Sequence, residues 1–155
     1  MSQSLPLLFA CSGCSHAGRL AYDVAQELDL RGIAEMSCLA GVGALKPNFL
    51  KQLRNRETWV IDGCPIHCAQ GVLQQVQQPA DVHIKLHDLG VRKSGQPTPD
   101  CDIERLIDGA MKQVATQRPA APTEGHGDRE SPATKRPHFA LLVPESALAN
   151  RGESQ

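Results

Sequence analysis

The chain contains few aromatic residues: three phenylalanines, one tryptophan and one tyrosine among its 155 residues. A core built from this sequence must therefore consist mainly of aliphatic side chains. The sequence also lacks a block of lysine or arginine, and its formal net charge is −1. Nucleic acids and anionic membrane surfaces are therefore not expected as partners.

The chain thus has five aromatic residues. They are Phe9, Tyr22, Phe49, Trp59 and Phe139.

No apolar run approaches the roughly 18–20 residues that a membrane-spanning helix needs. The apolar segment Leu5–Ala10 is too short for the hydrophobic part of a signal peptide, and no basic segment precedes it. We therefore expect a cytoplasmic protein without a membrane partner. In that reducing compartment, the six cysteines are expected to bind metal or to react rather than to form disulfides.

The order of apolar runs and helical periodicities predicts an α/β protein. Short apolar runs alternate with segments whose apolar residues recur every three to four positions, which is typical of strands joined by right-handed helical crossovers. The pattern predicts a small, mostly parallel sheet of about four strands with helices on both faces, a Rossmann-like or flavodoxin-like three-layer fold. Strands are expected at 5–10, 33–39, 58–61 and 82–86, and helices at 19–31, 47–53, 65–77 and 101–116.

The composition changes near the end of the last predicted helix. We expect a cysteine-rich α/β metal-binding domain at 5–117 and a flexible, disordered tail at 118–155, because the tail begins with a segment rich in proline, threonine, glycine and charge. The apolar segment Phe139–Val143 lies within this tail. It is expected to pack back on the domain or form a short extra strand, and a docking peptide is the alternative.

Five cysteines follow the predicted strands. Cys11 and Cys14 follow the first strand, and Cys38 lies at the end of the second. Cys64 follows the third strand, and Cys68 comes four residues later, one helical turn away. Ligands of open parallel sheets sit at the carboxyl ends of the strands. If strands two, one and three are neighbours, these thiols meet in one crevice.

A helix predicted from Pro65 to Gln77 would place Cys64 at its amino terminus. Free backbone N–H groups and the helix dipole stabilise a thiolate there. The neighbouring Asp62 is expected to cap this helix. The sequence therefore predicts thiolate character at this point of the sheet.

Thiolates in this number suit a metal ion. Zinc takes four nitrogen or sulfur ligands, with each sulfur at roughly 2.3 Å. Four of the five thiols would close a structural zinc site, and three would leave one position open. The same sulfurs can hold an iron–sulfur cluster, so both cofactors remain open at this point. Cys101 stands alone in a loop rich in proline and aspartate and is expected to be a small apolar side chain.

A redox role is the alternative use of the same cysteines. Cys64 or Cys11 would be the reactive thiol of low pKa, and Cys14 or Cys68 the resolving thiol. This would make the protein a thiol–disulfide enzyme or sensor. The sequence does not decide whether the protein is an enzyme, and it names no protein partner.

Histidines accompany the cysteines. His16 and His67 lie beside the thiols in sequence and are possible metal ligands or proton donors, although a solvated loop histidine is the more common case. His83 and His87 share one face of the fourth predicted strand, which is expected to be its polar face. No role is assigned to these two residues.

Three motifs in order resemble a known family. They are Cys11-Ser12-Gly13, the segment Met36–Gly43 and the segment Ile61–Ala69, which contains Asp62-Gly63-Cys64. Together they are similar to the DGC family, named after its Asp-Gly-Cys motif, over roughly residues 7–116. The resemblance implies a small zinc-binding protein whose biochemical role is largely unassigned. It places the family's cysteines at Cys11, Cys38, Cys64 and Cys68, and it leaves Cys14 as a substitute ligand or redox partner.

Overall fold

A computed structural model of the protein describes residues 4–11, 13–93 and 102–118. Strands and helices alternate along these residues, as the apolar pattern predicts. None of the helices in these ranges has the length and apolar character that crossing a membrane requires. The elements in chain order are β1 (Leu7–Ala10), α1 (His16–Leu30), β2 (Glu35–Met36), α2 (Leu39–Gly43), α3 (Pro47–Leu53), β3 (Thr58–Asp62), α4 (Cys68–Gln75), β4 (Val82–Lys85), a 3₁₀ turn (Leu86–Leu89) and α5 (Ile103–Gln117).

The four strands form one parallel sheet in the order β2-β1-β3-β4. Strands two, one and three are therefore neighbours, which is the condition that the thiol prediction assumed. Ala10 pairs with Ile61, and Asp62 pairs with Lys85, so β1, β3 and β4 end near the same edge. From β1 the chain crosses to β2, which flanks β1 on one side, and then returns to β3, which flanks β1 on the other side. The β1–β3 junction is thus the topological switch point, where α/β sheets bind ligands.

Two apolar cores lie on opposite faces of this sheet, which confirms the three-layer α/β prediction. Helices α1 and α5 cover one face, and α2, α3 and α4 cover the other. Strand β1 is buried on both faces, which explains its continuous apolar sequence. The first core includes Leu8, Val24, Leu28, Trp59, Ile61, Ile84, Leu106 and Ile107. The second core includes Leu7, Phe9, Val42, Leu53, Val60 and Leu73.

Glutamine side chains of α5 cover the outer edge of β4. The Gln113 side chain accepts a hydrogen bond from the Lys85 N–H at 2.8 Å and donates one to the Lys85 carbonyl at 3.0 Å. Gln117 makes the same pair of bonds with the backbone of His83, each at 2.9 Å. These two residues lie one helical turn apart, so they match alternate residues of the strand. The backbone N–H and carbonyl groups that this edge strand would otherwise offer to another chain are thereby hydrogen-bonded.

Helix α1 begins earlier than the periodicity predicts. Its first residue is His16 rather than Arg19, because Ser15 caps it by accepting a hydrogen bond from the Gly18 N–H at 3.3 Å. The helix ends as expected, with Gly32 in the left-handed region at φ 65°. The predicted strand at 33–39 is reduced to Glu35–Met36, and Cys38 already caps the short helix α2.

Helix α4 begins at Cys68 rather than at Pro65. The prediction that proline opens this helix was wrong, because the Asp62 carboxylate binds backbone N–H groups further along the chain and moves the first turn there. Cys64 consequently lies in the loop before the helix, and Cys68 is the thiol at the helix start. The residue before it, His67, adopts a left-handed conformation with φ 53°.

Helix α5 begins at Ile103, where the sequence predicts a start near residue 101. Asp102 caps it by accepting a hydrogen bond from the Glu104 N–H at 3.0 Å. Cys101, the segment Phe139–Val143 and the predicted tail beyond residue 118 lie outside the described residues.

Candidate functional site

Two buried thiols lie at the switch point of the sheet. The Cys11 N–H donates to the Ile61 carbonyl at 3.0 Å, so Cys11 continues the line of β1 beside β3. Cys64 follows β3 by two residues, and both side chains are buried. Cys14, Cys38 and Cys68 are exposed, and all five of these cysteines are free thiols.

Gly63 of the Asp-Gly-Cys motif holds the loop after β3 against the start of α1. A Cβ atom at this position would lie 1.9 Å from the Ala17 carbonyl oxygen, which no side chain can tolerate. A Cβ atom at Gly18 would in turn lie 2.8 Å from the Gly13 nitrogen. Glycine at both positions therefore lets the loops after β1 and β3 approach α1 closely, and this brings Cys11 and Cys64 to one place.

The electrostatics of Cys11 connect it to the other site residues. Burial raises the pKa of the Cys11 thiol above its ordinary value, although a hydrogen bond from the Gly13 amide acts in the opposite direction. The negative charge of Asp62 raises this pKa further, and the neighbouring thiols of Cys68 and Cys64 contribute in the same direction. Cys11 is therefore a neutral thiol near pH 7, and it shares one neighbourhood with these three groups.

Cys14 and Cys38 are exposed, unlike the buried thiols of Cys11 and Cys64. The Cys38 sulfur accepts a hydrogen bond from the Gly41 N–H at 3.3 Å and so caps α2. Cys38 follows β2, the neighbour of β1, and it lies at the same edge of the sheet as the other thiols. Cys14 is exposed on the loop before α1. Neither thiol is among the groups that shift the pKa of Cys11.

The donor atoms of these side chains do not yet surround a common point. Across residues 4–11, 13–93 and 102–118, no three histidine, cysteine, aspartate or glutamate side chains are arranged to hold a metal ion. Thiols are among the ligands that zinc accepts, so the cysteines are the residues at this edge that could take part in binding such an ion.

Asp62 is the most deeply buried charged group of the site, with 1% of its surface exposed. It accepts hydrogen bonds from the N–H groups of Ala69 at 2.9 Å and Gln70 at 3.1 Å, and it lies 3.0 Å from Nε2 of His83. Burial opposes its ionisation, but the bonds from His83 and the two amides outweigh burial and lower the pKa of Asp62. The prediction that Asp62 caps α4 is confirmed.

Three imidazole rings gather beside Asp62. The ring centres of His67 and His83 are 4.8 Å apart, and those of His67 and His87 are 5.1 Å apart. Nε2 of His67 and Nδ1 of His87 are buried without a hydrogen-bond partner among the described residues. Burial lowers the pKa of His67, and the neighbouring His83 lowers it further.

The sequence assigns no role to His83 or His87, and it connects His67 only with the thiols. The spacing of His83 and His87 places them on one face of the fourth predicted strand, and this spacing was the sequence signal that could have linked the two residues. Their meeting with His67 depends on the pairing of β4 beside β3 and on the left-handed turn before α4, neither of which a local pattern contains. His16, the other histidine expected near the thiols, has a buried Nε2 without a partner in the described part of the chain.

Comparison with known proteins places these observations in a family context. The sequence model described as the DGC domain matches residues 7–110. The chain is also 42% identical over 105 residues to the anaerobic and virulence modulator AnvM of Pseudomonas aeruginosa. That match covers 66% of this chain and 80% of the relative. No solved structure gives a significant match.

Proposed function

The chain belongs to the DGC-domain family, and from this premise we propose that it is a metal-binding protein that uses cysteine thiolates, with zinc as the first candidate ion. Cys11, Cys64 and Cys68 would supply three ligands. Cys14 or Cys38 would supply a fourth. When bound, zinc would cross-link the loops that follow the central strands and stabilise the folded state.

The observation that carries this proposal is the shared neighbourhood of Cys11, Cys64, Cys68 and Asp62 at the switch point of the sheet. These groups come from the ends of two adjacent strands and the start of α4. Close approach at Gly63 is what brings their loops together. The Asp-Gly-Cys motif thus lies at the place where we propose that the thiols bind the ion.

Charge supports the same proposal. Burial raises the pKa of Cys11 and the negative charge of Asp62 raises it further, so without a cation the thiol keeps its proton. A divalent cation placed among these groups would reverse the sign of that interaction and favour the thiolate. Metal binding should accordingly release protons, as thiol ligation requires.

The experiment is metal analysis of the full chain purified anaerobically without chelator. We expect about one zinc ion per chain, and we expect Cys64→Ser to lose it. Cys101→Ser is the matched control, because it removes a thiol to which no role is assigned. A chain that takes up no zinc, or a Cys64→Ser variant that retains it as well as Cys101→Ser does, would contradict the proposal.

A thiol-based redox sensor is the second candidate. The exposed thiol of Cys68 neighbours the buried thiols of Cys11 and Cys64, so an oxidant can reach one member of the group first. Peroxide would take two electrons and two protons from a pair of thiols to form a disulfide and water. Mass spectrometry of the peroxide-treated protein would detect that bond.

An iron–sulfur cluster on the same cysteines would give brown protein that contains iron and sulfide, so metal analysis distinguishes it from zinc.

We also propose a reducing, cytoplasmic setting, since the five cysteines of the described residues are free thiols.

A further inference from the structure

Cys68 differs from the buried thiols in how the chain holds it. Cys11 continues the line of β1 and Cys64 follows the end of β3, whereas Cys68 is the first residue of α4. Its position beside the other two thiols therefore depends on where α4 begins. The residue before it, His67, has a left-handed backbone at φ 53°, a conformation that persists only when the surrounding structure holds it. The start of α4 thus needs contacts from outside the helix.

Asp62 supplies these contacts with both oxygens of its carboxylate. Oδ1 accepts a hydrogen bond from the Ala69 N–H at 2.9 Å, and Oδ2 accepts one from the Gln70 N–H at 3.1 Å. These two amides belong to the residues that directly follow Cys68. Because the first N–H groups of a helix have no partner within the helix, the orientation of this carboxylate determines where the first turn of α4 forms.

His83 fixes the orientation of that carboxylate. Its Nε2 lies 3.0 Å from Oδ2 of Asp62, and an ionised carboxylate can only accept, so Nε2 carries the proton and donates it to the bond. The His83 ring also meets the His67 ring edge-on, with the ring centres 4.8 Å apart. His83 therefore contacts the residue before Cys68 directly, and it acts on the two residues after Cys68 through Asp62.

His83 is itself held by elements other than α4. It lies in β4, where it pairs with Val60 of β3. The Gln117 side chain of α5 binds both its backbone N–H and its carbonyl, each at 2.9 Å. Neither support involves a thiol or the first turn of α4. His83 is thus a fixed donor against which Asp62, and with it the start of α4, is oriented.

We propose that His83 is a positioning residue that holds Cys68 beside Cys11 and Cys64 by orienting the Asp62 carboxylate. This inference rests on the proposed thiolate function, and it adds to that site a residue that binds no ion itself. Removal of an outer residue that orients a metal site typically weakens metal binding by about 10–100-fold. Because the role is geometric, a side chain that keeps the donor should restore binding.

The zinc affinity of the full chain, measured by competition with a chromophoric chelator, tests the proposal. His83→Leu removes the donor, and we expect it to bind zinc about 10–100-fold more weakly than the wild type. His83→Gln keeps an N–H group near the position of Nε2 and should restore most of the affinity. His87→Leu is the matched control, because the His87 ring also lies 5.1 Å from that of His67 but its Nε2 faces Asp88 rather than Asp62. It should bind zinc like the wild type.

Amide hydrogen exchange of the metal-free chain gives a second measurement that does not depend on zinc. His83→Leu should speed exchange of the Ala69 and Gln70 N–H groups by about 10-fold, because the carboxylate that binds them is no longer fixed. The Cys11 N–H, which donates to Ile61 within the sheet, should exchange at the wild-type rate. General destabilisation would speed exchange at all three amides, so this contrast separates positioning from stability.

The outcomes separate this inference from the proposed function. If the wild type binds zinc and His83→Leu binds it equally well, the thiolate site stands and His83 does not position Cys68. The inference is also wrong if Ala69 and Gln70 exchange at wild-type rates in His83→Leu, or if His87→Leu loses as much affinity as His83→Leu. A wild-type chain that binds no zinc overturns the thiolate proposal, and the inference then fails with it.

Discussion

Asp62 and His83 meet across neighbouring strands, with 3.0 Å between the carboxylate oxygen and Nε2 of the ring. The same carboxylate accepts two backbone N–H groups at the start of α4. One buried side chain therefore joins β3, β4 and α4, and it places the start of α4, with Cys68, next to the histidines. This contact is the structural link between the thiols and the imidazole cluster.

Asp62→Asn should destabilise the fold by about 1–3 kcal/mol at neutral pH, because it weakens the bonds to two amides and to His83. Asp62 has a folded-state pKa below 3.8, so its stabilising contribution is present above about pH 4 and is lost as the pH falls through that lower pKa. The difference between wild type and variant should therefore shrink in acid. Urea unfolding followed at several pH values measures it.

Asp88→Asn is the matched control for that measurement, because Asp88 is largely exposed. It should change stability by less than about 0.5 kcal/mol, as is usual for surface substitutions. Equal losses for the two variants, or an Asp62→Asn effect that grows toward acid pH, would show that Asp62 does not act through its ionised form.

Gly63→Ala should destabilise the protein by about 3 kcal/mol or more, or prevent folding, because the new methyl group would overlap the Ala17 carbonyl. Gly71 in α4 is the control, since a Cβ atom there meets nothing within 4 Å. Gly71→Ala should raise stability by about 0.5–1 kcal/mol through higher helix propensity. Thermal unfolding of the two variants tests the pair, and a harmless Gly63→Ala would refute the close approach of the two loops.

The double substitution of Gln113→Ala and Gln117→Ala should expose the edge of β4. We expect a loss of about 1 kcal/mol for each hydrogen bond removed, and a greater tendency to aggregate, since an open edge can pair with another chain. Gln74→Ala, on the exposed side of α4, is the control. Light scattering during mild heating reports aggregation, and equal scattering from both variants would show that α5 does not protect this edge.

Removal of the proposed ion should lower the melting temperature of the wild-type chain, because an ion that binds only the folded state stabilises it. A strong chelator should therefore shift the unfolding of the wild type and leave Cys64→Ser unchanged. Differential scanning calorimetry measures both. A wild-type chain that melts at the same temperature with and without chelator would argue against a structural ion.

Much of the fold follows from local sequence. The apolar run of β1 and the stripe of α5 depend on neighbouring residues, and both elements lie where the pattern predicts them. The sheet order does not follow from local sequence: the adjacency of β2, β1 and β3 was an assumption, because right-handed crossovers fix the hand of each connection but not the order of the strands. The start of α4 does not follow, since Asp62 binds its amides from seven and eight residues away and overrides the preference of Pro65.

The candidate site is predictable only in part. Cysteines at strand ends indicated where thiols would gather, and Cys11, Cys64 and Cys68 do share a neighbourhood. The histidine cluster was not predictable, because His67 and His83 are brought together by strand pairing and by an unusual backbone conformation. The contact between His67 and His83 depends on the tertiary structure, so no characteristic spacing of these residues in the sequence predicts it.

X-ray absorption spectroscopy at the zinc edge of the anaerobically loaded chain tests the central claim most directly. Thiolate binding predicts three or four sulfur neighbours at roughly 2.3 Å from the ion, and Cys64→Ser should lose this signal. Only nitrogen and oxygen neighbours at about 2.0–2.2 Å, in wild type and variant alike, would contradict it.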